Sequence, residues 1–160
     1  IPARNRAKMQ GTHRVPDRFS KQAGVILFQL PPKWRFNADR LASFLKALSP
    51  DYRHVFELRD ERWISDEALD LLRSHDCAFC IYEFAGRHSP KEVTTDFVYI
   101  RLHGPLDEPY RGTYSTQTLS GWAGAISTWR RDGLDVFCYF DNDEAGYAPQ
   151  NAENLQQMLQ

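Results

Sequence analysis

The sequence of 160 residues contains neither a glycine-rich dinucleotide fingerprint nor a phosphate loop ending in Gly-Lys-Ser/Thr. Because those motifs hold the phosphates of a bound nucleotide, their absence argues against a nucleotide-binding doubly wound fold. The sequence also lacks an apolar run long enough to cross a bilayer and a signal-like apolar segment at its amino end. We therefore expect a soluble, cytoplasmic protein without a membrane partner.

Cysteine is scarce, with only Cys77, Cys80 and Cys138 in the chain. This odd number does not predict the disulfide framework that small secreted domains use when their core is inadequate. Cys77 and Cys80 have the CxxC spacing of redox motifs, but side chains three positions apart on a strand lie on opposite faces. We therefore interpret them as core thiols, and a cysteine-based redox enzyme is the weakest alternative.

Charge is unevenly distributed, although the net formal charge is only -1. Residues 1–22 carry six Lys or Arg residues and one Asp, a net charge of about +5, which leaves about -6 for the rest. We treat residues 1–23 as a basic N-terminal arm, which is either a solvated tail or a segment that contacts phosphates. The acidic remainder offers no overall basic surface for nucleic acid.

Beyond residue 23, apolar segments alternate with amphipathic segments. Five apolar segments have the length of strands: 24–30, 54–58, 77–84, 97–103 and 135–143. Four amphipathic segments have helical periodicity: 37–48, 65–75, 116–133 and 148–159. In the first of these, Leu41, Phe44, Leu45 and Leu48 form the predicted core face. About five strand–helix units predict a parallel sheet over residues 24–160, in a doubly wound fold or a closed barrel.

Polar side chains occupy one face of these strands near their carboxyl ends. Successive side chains on a strand alternate between faces, so the apolar residues pack against helices while the polar residues share the opposite face. Seven side chains are predicted to converge there: Gln29, Glu57, Arg59, Arg101, His103, Tyr139 and Asp141. Ligands of parallel α/β folds bind at the carboxyl ends of strands. The cluster is therefore either a ligand site or a structural ion-pair network.

Several segments, in order along the chain, carry a resemblance to a known family: GVILFQLPP, FELRDERW, TTDFVYIRLHGP, LSGWAGAI and DVFCYFDNDEAGYAPQNAENL. The sequence resembles the YecE-like proteins, domain-of-unknown-function family 72, over residues 24–159. The resemblance implies a TIM-like (β/α) barrel, and it implies this fold more firmly than any activity. Members of the family begin with about three further βα units, so the strands here correspond to the fourth through eighth of a barrel. Residues 1–23 match the missing part poorly.

The resemblance therefore implies a partial barrel formed by residues 24–160. A typical barrel takes about 250 residues, and exposed parallel edges invite association. We expect the open edges to be covered by a missing N-terminal barrel segment or by another copy in a homo-oligomer, unless the barrel is remodelled.

The last loop and helix extend the candidate site. TIM barrels often hold phosphate with the loops after their last two strands and a nearby helix amino terminus. Here that region contains Asn142, and Asn151 lies in the first turn of the last helix, where free backbone donors favour an anion. With Arg59 and Arg101 nearby, the sequence predicts an anionic, phosphate-bearing ligand.

We assign candidate catalytic roles to three residues. Glu57 or His103 is the general base or acid, and Asp141 orients His103. These three side chains also offer oxygen and nitrogen ligands for a metal ion. No compact ligand motif supports a metal site, however, and the sequence identifies no cofactor. The predicted substrate-binding residues are Gln29, Arg59, Arg101, Tyr139, Asn142 and Asn151, of which the two arginines stabilise developing negative charge.

The preferred hypothesis is a hydrolase or related enzyme, such as a phosphoester hydrolase, that acts on an anionic, phosphate-bearing substrate. One alternative is a glycosidase-like enzyme that uses Glu57 and Asp141 as its two carboxylates. Another is a non-enzymatic module that binds anions or nucleic acid through the basic arm and the loop residues Tyr110, Arg111 and Tyr114.

Overall fold

A computed structural model describes residues 24–160, so the basic arm of residues 1–23 lies outside the described residues. The strands are β1 (Ile26–Leu30), β2 (His54–Leu58), β3 (Ala78–Phe84), β4 (Arg87–His88), β5 (Phe97–Leu102) and β6 (Asp135–Phe140). The helices are α1 (Ala38–Ala47), α2 (Asp66–Arg73), α3 (Thr116–Arg131) and α4 (Tyr147–Met158). None of the helices in this part of the chain has both the length and the hydropathy needed to span a membrane.

The strands form a single sheet in the order β1-β2-β3-β5-β6, and all of these pairs are parallel. The two-residue strand β4 pairs antiparallel with the end of β3. The prediction of an α/β fold with a parallel sheet is therefore confirmed. Closure of that sheet into a TIM-like barrel stays a prediction, since β1 and β6 are the two outer strands of the described sheet.

Side-chain hydrogen bonds fix the first turns of α1 and α2. The Asn37 side chain accepts a hydrogen bond from the backbone N–H of Arg40 at 2.8 Å, and the Ser65 hydroxyl accepts one from Ala68 at 3.3 Å. Such caps satisfy backbone donors that have no partner inside the helix. These short polar residues therefore set the points at which α1 and α2 begin.

The sheet separates two apolar clusters, as strand alternation predicts. One face packs against the helices and includes Phe56, Ile81 and Ile100. The other face carries a smaller cluster that includes Val55, Cys80 and Tyr99. Cys77 belongs to the helix side, so Cys77 and Cys80 lie on opposite faces of the sheet.

One predicted core residue of α1 is not buried. Leu41 and Leu45 are buried, but Phe44 is 42% exposed. The Phe44 ring packs against Phe28 of β1 at a centroid distance of 5.2 Å. Because β1 is an outer strand, no further described strand covers the far side of that ring.

The alternation of strands and helices is interrupted between β3 and β5, where the sequence predicts no separate strand. Ala85 and Gly86 form a tight turn with φ values of 51° and 70°, and the chain returns as β4. A β-carbon on Gly86 would lie 2.4 Å from a carboxylate oxygen of Asp107, so glycine suits both the backbone and the space. Two hydroxyl side chains of the following loop, those of Ser89 and Thr94, then bond to the backbone of β3.

The carboxyl ends of β2 and β3 separate because of this loop. The two strands pair only at Val55–Ala78 and Phe56–Phe79. Farther along, the backbone N–H of Tyr82 donates to the Ser89 hydroxyl at 2.8 Å, and the Ser89 N–H donates to the Tyr82 carbonyl at 2.9 Å. The Tyr82 hydroxyl bridges the gap by donating to the carbonyl of Leu58 at 2.8 Å.

We predict that Thr94→Val lowers the free energy of unfolding by about 2 kcal/mol, because a buried backbone N–H loses its acceptor. The Thr94 hydroxyl accepts from the Phe79 N–H at 2.8 Å and donates to the Cys77 carbonyl at 2.7 Å. Urea denaturation measures the change. Thr95→Val is the matched control, since the Thr95 hydroxyl only contacts its neighbour Asp96 at 3.4 Å. Equal effects of the two substitutions would show that the Thr94 bonds do not secure β3.

Candidate functional site

Glu57 is the centre of a polar cluster on the face of the sheet away from the helices. Its side chain is 0% exposed. One carboxylate oxygen accepts a hydrogen bond from Arg59 Nε at 2.5 Å, and the other accepts one from Arg101 Nη1 at 2.5 Å. Burial alone would raise the pKa of Glu57, but contacts with His103, Arg59 and Arg101 outweigh burial and hold the pKa at about 2. Glu57 is therefore a firmly ionised anchor for two guanidinium groups.

Arg101 connects Glu57 to both outer strands. Its Nη1 also donates to Gln29 Oε1 at 3.2 Å, and its Nη2 lies 2.8 Å from Asp141 Oδ2. Burial lowers the pKa of Arg101, but the carboxylates of Glu57 and Asp141 raise it overall. Gln29 belongs to β1 and Asp141 follows β6, so a single side chain spans the carboxyl ends of the parallel strands.

His103 lies beneath the surface of this cluster. It is 0% exposed, with Nδ1 at 3.1 Å from Asp141 Oδ2 and Nε2 at 3.5 Å from Glu57 Oε1. Neither contact has the alignment of a hydrogen bond. The rings of Phe84 and Tyr110 pack edge-on around the imidazole at 5.4 and 5.5 Å. In this arrangement His103 supports the two carboxylates and has no surface through which to reach a ligand.

One terminal nitrogen of Arg59 is the candidate binding position. Burial lowers the pKa of Arg59, but contacts with Glu57 and the Tyr110 hydroxyl raise it overall. The Arg59 side chain is 11% exposed, and its guanidinium carbon lies 4.4 Å from the centroid of the Phe84 ring. Its Nε is paired with Glu57, but Nη2 is buried and has no hydrogen-bond partner among the described residues. Buried polar groups are nearly always satisfied, so an orphaned charged donor points to a missing ligand or water.

Tyr139 lies on the same face, next to Arg101 in the register of β5 and β6. It is 46% exposed and packs against Tyr99 at a centroid distance of 5.1 Å. The structure thus brings together all seven side chains that strand alternation places on this face. Their roles in binding or catalysis stay predictions.

Asn142 and Asn151 belong to a neighbouring network that holds the loop after β5. Both are buried, at 0% and 1% exposure. The Asn151 side-chain oxygen accepts from the Tyr114 N–H at 3.1 Å and from Asn142 Nδ2 at 2.9 Å. Asn142 Nδ2 also donates to the carbonyl of Gly112 at 2.8 Å. These amides therefore fix the loop to the start of α4, and a ligand contact by either one stays a prediction.

The loop side chains Tyr110, Arg111 and Tyr114 have three different environments. Tyr114 is 4% exposed, and its hydroxyl accepts from the Gly104 N–H at 3.0 Å. Arg111 pairs with Glu144 at 2.9 Å. Only Tyr110 of the three combines large exposure, 42%, with contact to the polar cluster. The loop thus contributes one aromatic side chain to the rim of the site.

The end of β3 and its hairpin also contribute side chains that the sequence analysis did not assign. Tyr82, Phe84 and Arg87 line a cavity of about 350 Å³ beside Arg59. The only signal in the segment EFAGRH is its glycine, because glycine is common in two-residue hairpin turns, whereas alanine rarely precedes it there. Within residues 24–160, no group of three or more His, Cys, Asp or Glu side chains is arranged to hold a metal ion.

A parallel sheet whose carboxyl ends carry a buried ion-pair cluster defines an α/β protein with its candidate site in the position typical of this class. The chain belongs to the family described as "Protein of unknown function DUF72", whose model matches residues 3–160. The predicted membership of the YecE-like family is therefore confirmed. The match takes in residues 3–23, which lie outside the resemblance noted in the sequence.

Solved structures of the same family share the fold. A DUF72 family protein of Thermotoga maritima is 24% identical with a TM-score of 0.76, over 85% of this chain and 57% of that protein. An Enterococcus faecalis DUF72 family protein is 16% identical in one structure, with a TM-score of 0.75 over 96% of this chain and 69% of that one. The present chain thus spans little more than half the length of the Thermotoga protein. No curated protein matches the chain.

The ionisation of Glu57 predicts a specific loss of stability in acid. A carboxylate whose pKa falls from its ordinary value of 4.5 to about 2 on folding stabilises the fold above pH 4.5. That contribution, about 3 kcal/mol, disappears as the pH falls from the unfolded to the folded pKa. Glu57→Gln should therefore lower the free energy of unfolding at pH 7 by about 3 kcal/mol or more and flatten its decline below pH 4.5.

Urea denaturation between pH 2 and 7 tests this expectation. Glu92→Gln is the control, because the Glu92 side chain is 45% exposed and pairs with Arg73 on the surface, where ion pairs contribute little. A Glu57→Gln variant that loses stability in acid as steeply as the wild type would contradict the assignment of Glu57 as the ionised anchor.

Proposed function

We propose that this protein is a phosphoester hydrolase that binds the phosphate of its substrate at the carboxyl ends of β2, β5 and β6. The observation that carries the proposal is the buried Nη2 of Arg59, which has no partner among residues 24–160. Guanidinium groups bind phosphate through paired N–H donors, and a buried donor without an acceptor favours an anion at that position.

The two arginines take different parts in this proposal. Arg101 already contacts Glu57, Gln29 and Asp141 through its two terminal nitrogens. Arg59 is tied through Nε and keeps Nη2 for the ligand. Arg59 is thus the primary phosphate contact, while Arg101 holds the surrounding side chains in place.

Asp141 is the catalytic candidate that can reach a substrate. Its side chain is 27% exposed, whereas those of Glu57 and His103 are 0% exposed. A carboxylate with a pKa of about 2 is also a weak base at neutral pH, so Glu57 acts by holding the arginines. Asp141 takes a proton from the water that attacks phosphorus, the bond from phosphorus to the ester oxygen breaks, and the departing oxygen takes a proton from solvent water. His103 supports the Asp141 carboxylate, and the arginines stabilise the charge that develops on the phosphoryl oxygens.

The geometry favours this reaction over a glycosidase-like one. Two carboxylates of a glycosidase flank the scissile bond, so both must contact the substrate. Glu57 has no exposed surface, and both of its oxygens accept hydrogen bonds from arginines. A pair formed by Glu57 and Asp141 is therefore poorly suited to that role.

We predict that Arg59→Met weakens the binding of inorganic phosphate by at least about tenfold, because a charged hydrogen bond is lost. Isothermal titration calorimetry measures the affinity. Arg53→Met is a matched control at the opposite end of the sheet. Like Arg59, Arg53 pairs with a carboxylate, Asp135 at 2.7 Å, and lies over a phenylalanine ring, Phe97 at 5.2 Å. Phosphate binding that is insensitive to Arg59→Met, or equally sensitive to Arg53→Met, would place the anion elsewhere.

We further predict that Asp141→Asn lowers the rate of phosphate release from phosphate esters by about a hundredfold or more, while phosphate affinity does not fall, because the variant removes a negative charge beside the site. The comparison uses a panel of monoesters and diesters with a colorimetric assay for released phosphate. Binding that depends on Arg59 but occurs without turnover of any ester would instead support the non-enzymatic anion-binding alternative.

A further inference from the structure

A cavity adjoins the proposed phosphate site at the carboxyl ends of β1, β2 and β3. Its volume is about 350 Å³, within the range of pockets that hold small ligands. It exists because the ends of β2 and β3 separate where Ser89 takes over the hydrogen bonds of Tyr82. The cavity is therefore a product of the hairpin that interrupts the strand–helix alternation.

Arg59 belongs to both the polar cluster and the cavity. It lines the cavity while its Nε is bonded to Glu57. Phe84, another lining residue, lies against the guanidinium of Arg59 at 4.4 Å and fixes its plane. A ligand whose phosphate binds Arg59 therefore has its remaining atoms next to this cavity.

The walls of the cavity favour an apolar group of the ligand. Pro32, Ile64, Tyr82 and Phe84 supply apolar and aromatic surface. Charged groups lie at the rim, where Glu61 and Arg87 approach to 3.4 Å with side chains 80% and 70% exposed. His88 and Ser89 add polar groups to the lining. A polyhydroxyl group placed against the apolar walls would lose water there and gain hydrogen bonds only from these polar groups, whereas a flat aromatic ring would bury apolar surface.

We propose that the cavity lined by Arg59, Ile64, Tyr82 and Phe84 binds the organic part of the substrate, and that this part is a compact aromatic group. The proposal rests on the proposed function and adds the substrate class, an aryl phosphate. The phosphate binds Arg59, and the ring lies between Phe84 and the Ile64 wall.

The test compares the affinities of phenyl phosphate, glycerol 3-phosphate and inorganic phosphate by titration calorimetry. Phenyl phosphate should bind at least about tenfold more tightly than inorganic phosphate, because its ring buries apolar surface, and glycerol 3-phosphate should gain little. Equal affinities for phenyl phosphate and inorganic phosphate would overturn this inference alone. No binding of any of these ligands would overturn the proposed function and this inference together.

A matched pair of variants locates the ring. Ala85 lines the cavity and has a left-handed backbone with φ of 51°, which asparagine tolerates. Ala85→Asn should remove most of the advantage of phenyl phosphate and leave the affinity for inorganic phosphate unchanged. Ala145→Asn is the control, since Ala145 has φ of 52° in the short turn before α4. An advantage that survives Ala85→Asn, or is lost equally in Ala145→Asn, would show that the ring binds elsewhere.

Discussion

The fully buried carboxylate of Glu57 is the constraint around which this face of the sheet is arranged. Removing a lone carboxylate from water costs several kcal/mol, so the fold is compatible with Glu57 only when positive groups surround it. Arg59, the residue that follows β2, supplies one, and Arg101 supplies the other from β5. Because β3 lies between β2 and β5, the Arg101 side chain extends across the face of β3 that carries Cys80 and Tyr82, of which Tyr82 is in register with Arg101. The pair of Glu57 and Arg101 thus joins two strands that are not neighbours in the sheet.

The same constraint divides the cluster into buried and accessible members. Glu57 and His103 have no exposed surface, whereas Asp141 and Arg101 have side chains that are 27% and 17% exposed. A ligand meets the accessible members, and the buried ones determine where those members point. Such an arrangement resembles the supporting layer of residues that many active sites require, in which groups without substrate contact fix the geometry of those that have it.

Much of this arrangement follows from the period of two along a strand. That period places Glu57, Arg101 and Asp141 on one face without any knowledge of register, because each follows an apolar partner that must face the helices. The alternation does not predict how deeply each of these side chains is buried. His103 and Asp141 have equivalent positions at their strand ends, yet Phe84 of β3 and the loop residue Tyr110 cover only the histidine.

Contacts between distant segments could not be predicted either. Asn151 looks like a helix-end ligand in the sequence, but the loop residues Thr113 and Tyr114 lie close enough to use its side chain. Phe44 has the position of a core residue on α1, and its exposure depends on β1 being an outer strand. The separation of β2 from β3 depends on a serine in a loop that carries no regular pattern. In each case the outcome depends on a residue that is distant in the chain or that lies in a segment without hydrophobic periodicity.

The charge balance of the cluster finally explains why one arginine is better placed than the other to receive an anion. Two guanidinium groups and two carboxylates leave no net charge, so an incoming phosphate cannot rely on a positive field. The phosphate must instead compete with the carboxylates for the N–H donors of the arginines. It competes least well where these donors already have carboxylate partners, as at both terminal nitrogens of Arg101. Arg59 presents a terminal nitrogen outside that competition, with its plane held by Phe84. Binding at Arg59 leaves the Glu57 ion pairs intact, so the fold keeps its anchor while the ligand is bound.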